Sequence, residues 1–217
     1  MGLEVLGICG SPVKDGNADS FLGAVADSVR EPGINVNIIN VARLNIADCL
    51  HCNFCLTRQT REKICGLEDD MREIYPQVLK ADVIVFASPV YLMRLSGYLA
   101  KFMDRLRALL HGKVYRRALA DKVGVALAVS WFRNTGVETT LLSIVSGMLT
   151  LGMIPVGGIG GLGAGAVSSK GGTGLFEREN RLGVLDDEYG IETGKKTLRR
   201  AVLLARIIKA GKEALSI

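Results

Sequence analysis

The chain has 217 residues, 48% of them hydrophobic and 23% charged, with a net charge of +5. That is enough chain for one large domain whose core needs no staples, and too ordinary a composition for wholesale disorder. The mild positive charge suits an acidic small molecule or protein partner, but the dense basic and aromatic mixture of a nucleic-acid binder is missing. The densest basic run, residues 195–200, reads as the solvated face of a helix. No basic segment precedes an apolar stretch at the start, so no signal peptide is visible and the cytoplasm is the expected compartment. Disulfides are rare there, and clustered cysteines more often hold metal or do redox work. Residues 141–167 carry no charge and are long enough on paper to cross a bilayer. Pro155 and eight glycines interrupt them, so the expectation is a buried helix, a short strand and a glycine loop, with no membrane association.

Residues 3–9 (LEVLGIC) form a short apolar run ending at Gly10-Ser11-Pro12, the pattern of a buried strand. Residues 18–30 place Phe21, Leu22, Val25 and Val29 on one helical face. Residues 34–41 alternate like a second strand. The segment after them stands where a strand-to-helix loop is ordinarily short, and it holds four of the five cysteines. Cys49, Cys52 and Cys55 come at two-residue gaps, then Cys65. A disulfide staple, a zinc clip, an iron–sulfur cluster and a reactive thiol group are the four readings of such a set. Beyond it, Asp70 and Glu73 suggest a capping box, and Pro76 predicts a short turn with a helix restarting at the proline. Residues 82–87 are a third strand, broken at Ser88-Pro89. Residues 95–110 are strongly amphipathic, with Leu95, Leu99, Phe102, Met103, Leu106 and Leu110 on one helical face. A fourth strand (122–129), a fourth helix (136–151), a fifth strand (153–156) and a terminal helix (193–215) complete the chain. This alternation demands an α/β fold, a doubly wound parallel sheet of five strands with right-handed crossovers. The expectation is one domain over residues 1–217, with a cysteine loop (45–70) inserted after strand two and glycine-rich residues 157–174 inside the last crossover.

In such sheets ligands bind outside the carboxyl ends of the strands, where the strand order reverses. After strand one, Ser11, Asn17 and Ser20 offer small donors beside a helix N-terminus, whose free N–H groups attract an anion. A cradle without a P-loop lysine pattern suits the phosphate of flavin mononucleotide (FMN) better than a triphosphate. The bland alternative is a capped turn with Asn17 as N-cap. After strand three, Pro89, Val90, Tyr91 and Leu92 present backbone N–H groups and an aromatic ring to a flat ligand. After strand four, Ser130, Trp131 and Phe132 carry the only tryptophan, which either faces the ligand or covers core.

The stretches GICGSPVKDGNADS, CGLEDDM, ADVIVFASPVY and SGYLAKFMDR, with the cysteine group between them, resemble the flavodoxin-like NADPH-dependent FMN reductase superfamily. The cysteines draw the resemblance towards its iron–sulfur flavoprotein branch. It covers residues 3–150 and fades through the glycine loop. The resemblance implies sheet order 2-1-3-4-5 and FMN bound by the three loops just described. It also implies a four-iron (4Fe-4S) cluster on Cys49, Cys52, Cys55 and Cys65, and a homo-oligomer (dimer or tetramer). The implied activity is electron transfer linking reduced carriers, a ferredoxin or NAD(P)H, to small acceptors, with no side chain required as acid or base. Two departures stand out. Val13 and Ala18 occupy cradle positions where the family commonly has arginine and a hydroxyl residue, and the gap from Cys55 to Cys65 is longer than usual.

The spacing of the thiols bears on the four readings. Cysteines three apart seldom pair in a cytosolic protein, and zinc usually takes two pairs separated by a longer spacer. Cubanes use consecutive C-x2-C gaps because each thiolate reaches a different iron. Looping back over nine residues costs only ~0.5 kcal/mol more than over five. The cluster is the preferred reading, with zinc and unligated thiols as the alternatives. His51 and Phe54 are expected to pack over the cluster, or His51 to be a ligand. Cys9 reads as a small core residue. Residues 158–163 match G-x-G-x-x-G but lack the strand–helix unit and ribose-binding acid of a dinucleotide fingerprint. The rival function is an NAD(P)H-dependent FMN or quinone reductase without a functional cluster, and a more distant one is a non-catalytic metal-binding scaffold.

Overall fold

The computed structural model describes residues 2–159 and 161–216. Its strands are β1 (Leu3–Cys9), β2 (Ile34–Asn40), β3 (Val83–Tyr91), β4 (Arg94–Leu95), β5 (Val123–Ser130), β6 (Ile154–Pro155) and β7 (Ala164–Val167). Its α-helices are α1 (Asn17–Asp27), α2 (Phe54–Thr57), α3 (Met71–Lys80), α4 (Gly97–Arg105), α5 (Arg107–Leu110), α6 (Val137–Thr150) and α7 (Glu188–Leu215). β5 is buried along its whole length and β1 at six of its seven positions, as parallel strands covered on both faces must be. The strand period of two sorts β3 between the layers. Val83, Val85 and Ala87 join the core under α1 and α7, while Ile84 and Phe86 join the core under α3, α4 and α6.

The parallel order is β2-β1-β3-β5-β6, which is the expected topology. The strand count is corrected from five to seven. β4 folds back antiparallel on β3, pairing Val90 with Leu95 and Tyr91 with Arg94. The fifth strand is split. β6 pairs with Val123 and Gly124, and β7 pairs with the other end of β5, Leu127 to Ser130. Between them Gly158 bridges Gly161 in a local turn. Glycine adds no packing to a strand and weakens it, so the chain leaves the sheet edge and rejoins it at β7. The small residues of β7 (AGAV) gave no apolar run to read, and part of the expected glycine loop is strand. In the uncharged stretch α6 ends at Thr150, and among the described residues no helix is long and apolar enough to cross a membrane.

Two local expectations are also corrected. α3 runs through Pro76 without restarting there. Pro76 is exposed on the helix face opposite Ile74, Tyr75 and Val78, so the Arg72 carbonyl it leaves unpaired faces water, where the loss is small. The capping box does not form either. The Asp70 carboxylate accepts from Asn45 N (2.7 Å), and Asp69 accepts from Met71 N (3.2 Å) at the helix start. The helix expected over 95–110 begins after Ser96, whose hydroxyl accepts from Leu99 N (3.2 Å) and donates to the Gly10 carbonyl (2.6 Å). It breaks at Leu106 into α4 and α5. Gly10 is needed at this junction, because a Cβ there would lie 2.6 Å from the Leu99 Cβ.

Candidate functional site

Outside the carboxyl ends of β1, β3 and β5 lies a cavity of about 370 Å3, within the usual size range of small-molecule sites. Ser11 and Val13 reach it from the loop after β1, and Asn17 and Ala18 from the first turn of α1. Pro89, Val90 and Tyr91 come from β3, and Val129 and Trp131 from the end of β5. The N-cap of α1 is Gly16, which caps with no side chain, so the first-turn N–H groups are left for another acceptor. Asn17 is therefore not the N-cap. Its Nδ2 donates to the Arg181 carbonyl (3.1 Å), and its Oδ1 accepts from Val184 N (3.0 Å). Burial, with Tyr98 and Cys9 nearby, pushes the Tyr91 hydroxyl up, so it stays protonated at neutral pH.

Four of the residues singled out in the sequence lie outside the cavity wall. Ser20 sits further along α1, where its N–H bonds to the Gly16 carbonyl. Leu92 forms a hairpin tip with Met93 and is 91% exposed. Ser130 is buried, and its hydroxyl donates to the Phe132 carbonyl (2.6 Å). The Phe132 ring tilts against Trp131 at 5.6 Å and covers Gly174, where a Cβ would lie 2.0 Å from the ring.

One wall was missed altogether. Ser168, Ser169, Lys170, Leu175, Phe176, Glu177, Asn180 and Arg181 also line the cavity. The loop after β5 holds this segment down. Ser168 N donates to the Ser130 carbonyl (2.8 Å), Ser169 Oγ to the Trp131 carbonyl (2.5 Å), and Arg133 N to the Gly172 carbonyl (2.8 Å). The sequence signal was the cluster Gly171, Gly172 and Gly174, all at positive φ. It marks turns but not the strand end they face.

A second, much smaller cavity is lined by Cys49, Cys52, Cys55 and Cys65 together with Phe54, Arg105 and Arg107. Cys55 is carried on the single turn of α2, and Cys52 lies between two left-handed residues, His51 (φ 52°) and Asn53 (φ 57°). Non-glycine residues seldom adopt that conformation, and it gathers at binding sites. Arg107 Nη1 lies 3.5 Å from the Cys55 sulfur, and Arg105 Nη2 3.4 Å from the Cys65 sulfur. Burial pushes the Cys55 thiol up, against the pull of the Arg107 charge. Among the described residues, no three thiol, imidazole or carboxylate groups are placed to hold one ion. A tetrahedral zinc with bonds of about 2.3 Å would need its thiolates almost in contact, whereas the corners of a cubane stand further apart. His51 lines a neighbouring cavity with Cys49 and not the one shared by the four thiols. Cys9 is fully buried in the core, and burial raises its thiol far above the ordinary range.

Buried polar residues hold the cysteine loop in place. Arg105 is 2% exposed. It pairs with both oxygens of Asp69 (2.5 and 3.1 Å) and donates to the Ala47 carbonyl (2.8 Å), clasping the two ends of the loop to α4. Burial would raise the Asp69 carboxyl, but hydrogen bonds from Arg105 and from the N–H groups of Ala47 and Met71 outweigh it and hold it below the ordinary range. Gln59 donates to the Ile64 and Ala108 carbonyls (3.0 and 2.9 Å) and accepts from Val114 N and Tyr115 N (2.9 and 3.0 Å). Of the G-x-G-x-x-G stretch, Gly160 lies outside the described residues, and the next element along the chain is strand β7, not a helix.

A family model for NADPH-dependent FMN reductases matches residues 3–165. The chain belongs to this family. It is 35% identical to an iron–sulfur flavoprotein of Methanocaldococcus jannaschii, over 91% of this chain and 94% of that one. It is 36% identical to an iron–sulfur flavoprotein of Methanosarcina thermophila, over 71% of this chain and 78% of that one. These similarities place it in the iron–sulfur flavoprotein branch of the FMN reductases and make it an oxidoreductase with a flavin-based redox role. Solved structures agree on the flavodoxin-like fold. RosB, crystallised with 8-demethyl-8-formylriboflavin-5'-phosphate, matches with a TM-score of 0.72 at 16% identity, covering 96% of this chain and 81% of that one. An NAD(P)H:quinone oxidoreductase of Methanothermobacter marburgensis matches with a TM-score of 0.59 at 15% identity, covering 90% and 98%.

Proposed function

We propose that this FMN reductase relative binds FMN in the larger cavity and a four-iron cluster on Cys49, Cys52, Cys55 and Cys65, and moves electrons between reduced carriers and small acceptors. The observation that carries the reading is the convergence of all four thiols on one cavity with two guanidinium groups at their sulfurs. When bound, the flavin exchanges electrons in pairs and the cluster singly, so the two together join both kinds of carrier. The protein's own residues position and insulate. Arg105 and Arg107 bring positive charge and N–H donors to the ligand sulfurs, offsetting the charge of the four thiolates and tuning the site. Trp131, Tyr91, Leu175 and Phe176 give the larger cavity the apolar walls that a flat ring needs, and the first turn of α1 supplies N–H groups for a phosphate.

The surface beside the thiols favours a protein electron donor of the acidic ferredoxin type over NAD(P)H. Arg58, Arg61 and Lys63 of the cysteine loop and Lys113, Arg116 and Arg117 of the next loop are all exposed. The two loops are joined by Lys113 N to the Cys55 carbonyl (2.8 Å) and by the Tyr115 hydroxyl to the Arg61 carbonyl (3.1 Å). Only Lys63 among these cations is paired, with Glu68, in the described residues. The two cavities share no lining residue, which suits a homo-oligomer in which a neighbouring subunit brings a cysteine loop towards the flavin.

Anaerobic purification followed by an absorbance spectrum and iron and sulfide assays tests the proposal. About four irons and four sulfides per chain, together with FMN, are expected. FMN without iron would select the rival, a reductase lacking the cluster. Iron without flavin would sink both.

A further inference from the structure

No cation of the cradle loop lines the phosphate end of the larger cavity, since Lys14 of that loop is exposed and outside the cavity wall. The wall there is Ser11, Val13, Asn17 and Ala18, two polar residues and two apolar ones. A phosphate monoester carries about −1.5 to −2 charges at neutral pH, and a helix N-terminus answers with only about half a positive charge. Arg43 is near but already paired with Asp19. Two cations line the cavity, Lys170 and Arg181, both from the wall that comes after β7. Their anchors separate them. Lys170 adjoins Ser169, whose hydroxyl is bonded to the Trp131 carbonyl, so it stands at the aromatic end. Arg181 is held at the first turn of α1, because the Asn17 amide grips its carbonyl and the N–H of Val184. Among the described residues no carboxylate lies within salt-bridge distance of its guanidinium, and Glu177, the one carboxylate lining the cavity, does not pair with it.

We propose that Arg181, 164 residues beyond the asparagine that grips it, supplies the cation for the flavin 5'-phosphate that the cradle loop does not bring to the cavity wall. The inference rests on the proposal that FMN occupies this cavity. A guanidinium matches two phosphate oxygens at once, and an exposed, unpaired arginine gives up little to make that contact. Asn17 then has a positioning role, holding the segment that brings the charge.

Riboflavin, which is FMN without the phosphate, separates a charge contact from a packing one. Flavin fluorescence titrations of the full chain with FMN and with riboflavin would compare the wild type, Arg181→Gln and Arg181→Lys. The expected result is a loss of about 10- to 100-fold in FMN affinity for Arg181→Gln, unchanged riboflavin affinity, and an intermediate FMN affinity for Arg181→Lys. An Arg181→Gln protein that binds FMN like the wild type would overturn the inference. Equal weakening towards both flavins would overturn it too, since Arg181 would then only be part of the wall. A wild type that binds neither flavin would instead refute the proposed function.

Discussion

Arg105 stands in a helix whose other charged residues face outward, yet its side chain is among the largest fully buried ones in the chain. A buried ion pair is weak evidence of net stability, but removing one partner leaves the other charge stranded. Arg105→Met should therefore destabilise the protein by about 3–5 kcal/mol in urea unfolding, and adding Asp69→Leu should recover much of that loss. The pair also sets an acid limit. The folded Asp69 carboxyl titrates below the ordinary value of about 3.9, so its contribution is complete above that pH and is lost as the pH falls through the folded value. Asp69→Asn should flatten the acid limb of the stability profile, and an unchanged limb would count against the pair. Cys65→Ser makes a different test. The loop lies outside the strand core and oxygen is a poor substitute for a soft ligand, so the variant should fold and bind FMN while losing most of its iron. Full iron occupancy would remove Cys65 from the ligand set.

Among the elements, the hairpin joining β3 to β4 is under visible strain. Leu92 (φ 49°) and Met93 (φ 61°) are both left-handed, the geometry of a two-residue turn that favours Asn-Gly. Both side chains are exposed, so little packing offsets the cost. Replacing the pair with Asn-Gly should raise stability by about 1–2 kcal/mol. If the apolar tip serves an oligomer, the same variant should shift the molecular mass measured by light scattering. The element pattern was largely legible in the sequence. β1 matches residue for residue, and the helix faces of α1 and α4 are the apolar positions read from periodicity. Pro76 was misread because exposure, not propensity, decides what an unpaired carbonyl costs. β7 was missed because four small residues carry no period of their own.

At the scale of the molecule, the cationic flank beside the thiols should steer an acidic donor. Arg58→Gln with Arg61→Gln should slow reduction by an acidic ferredoxin and weaken its dependence on salt. The iron content and the rate with a small chemical reductant should not change. An equal rate with ferredoxin would move the docking surface elsewhere.

The sequence by itself determined the α/β class, the sheet positions of the cradle and aromatic loops, and the set of four thiols. Those features are written in local period and spacing, or in the order of motifs that the FMN reductase family shares. Only the tertiary structure decided which residues stand around them. Asp69 and Arg105 are 36 positions apart, Gln59 and Ala108 are 49 apart, and Asn17 and Arg181 are 164 apart. A charged or amide side chain in an amphipathic helix or a loop looks solvent-facing until its distant partner is known. Its burial is set by a pairing that no window of the sequence contains.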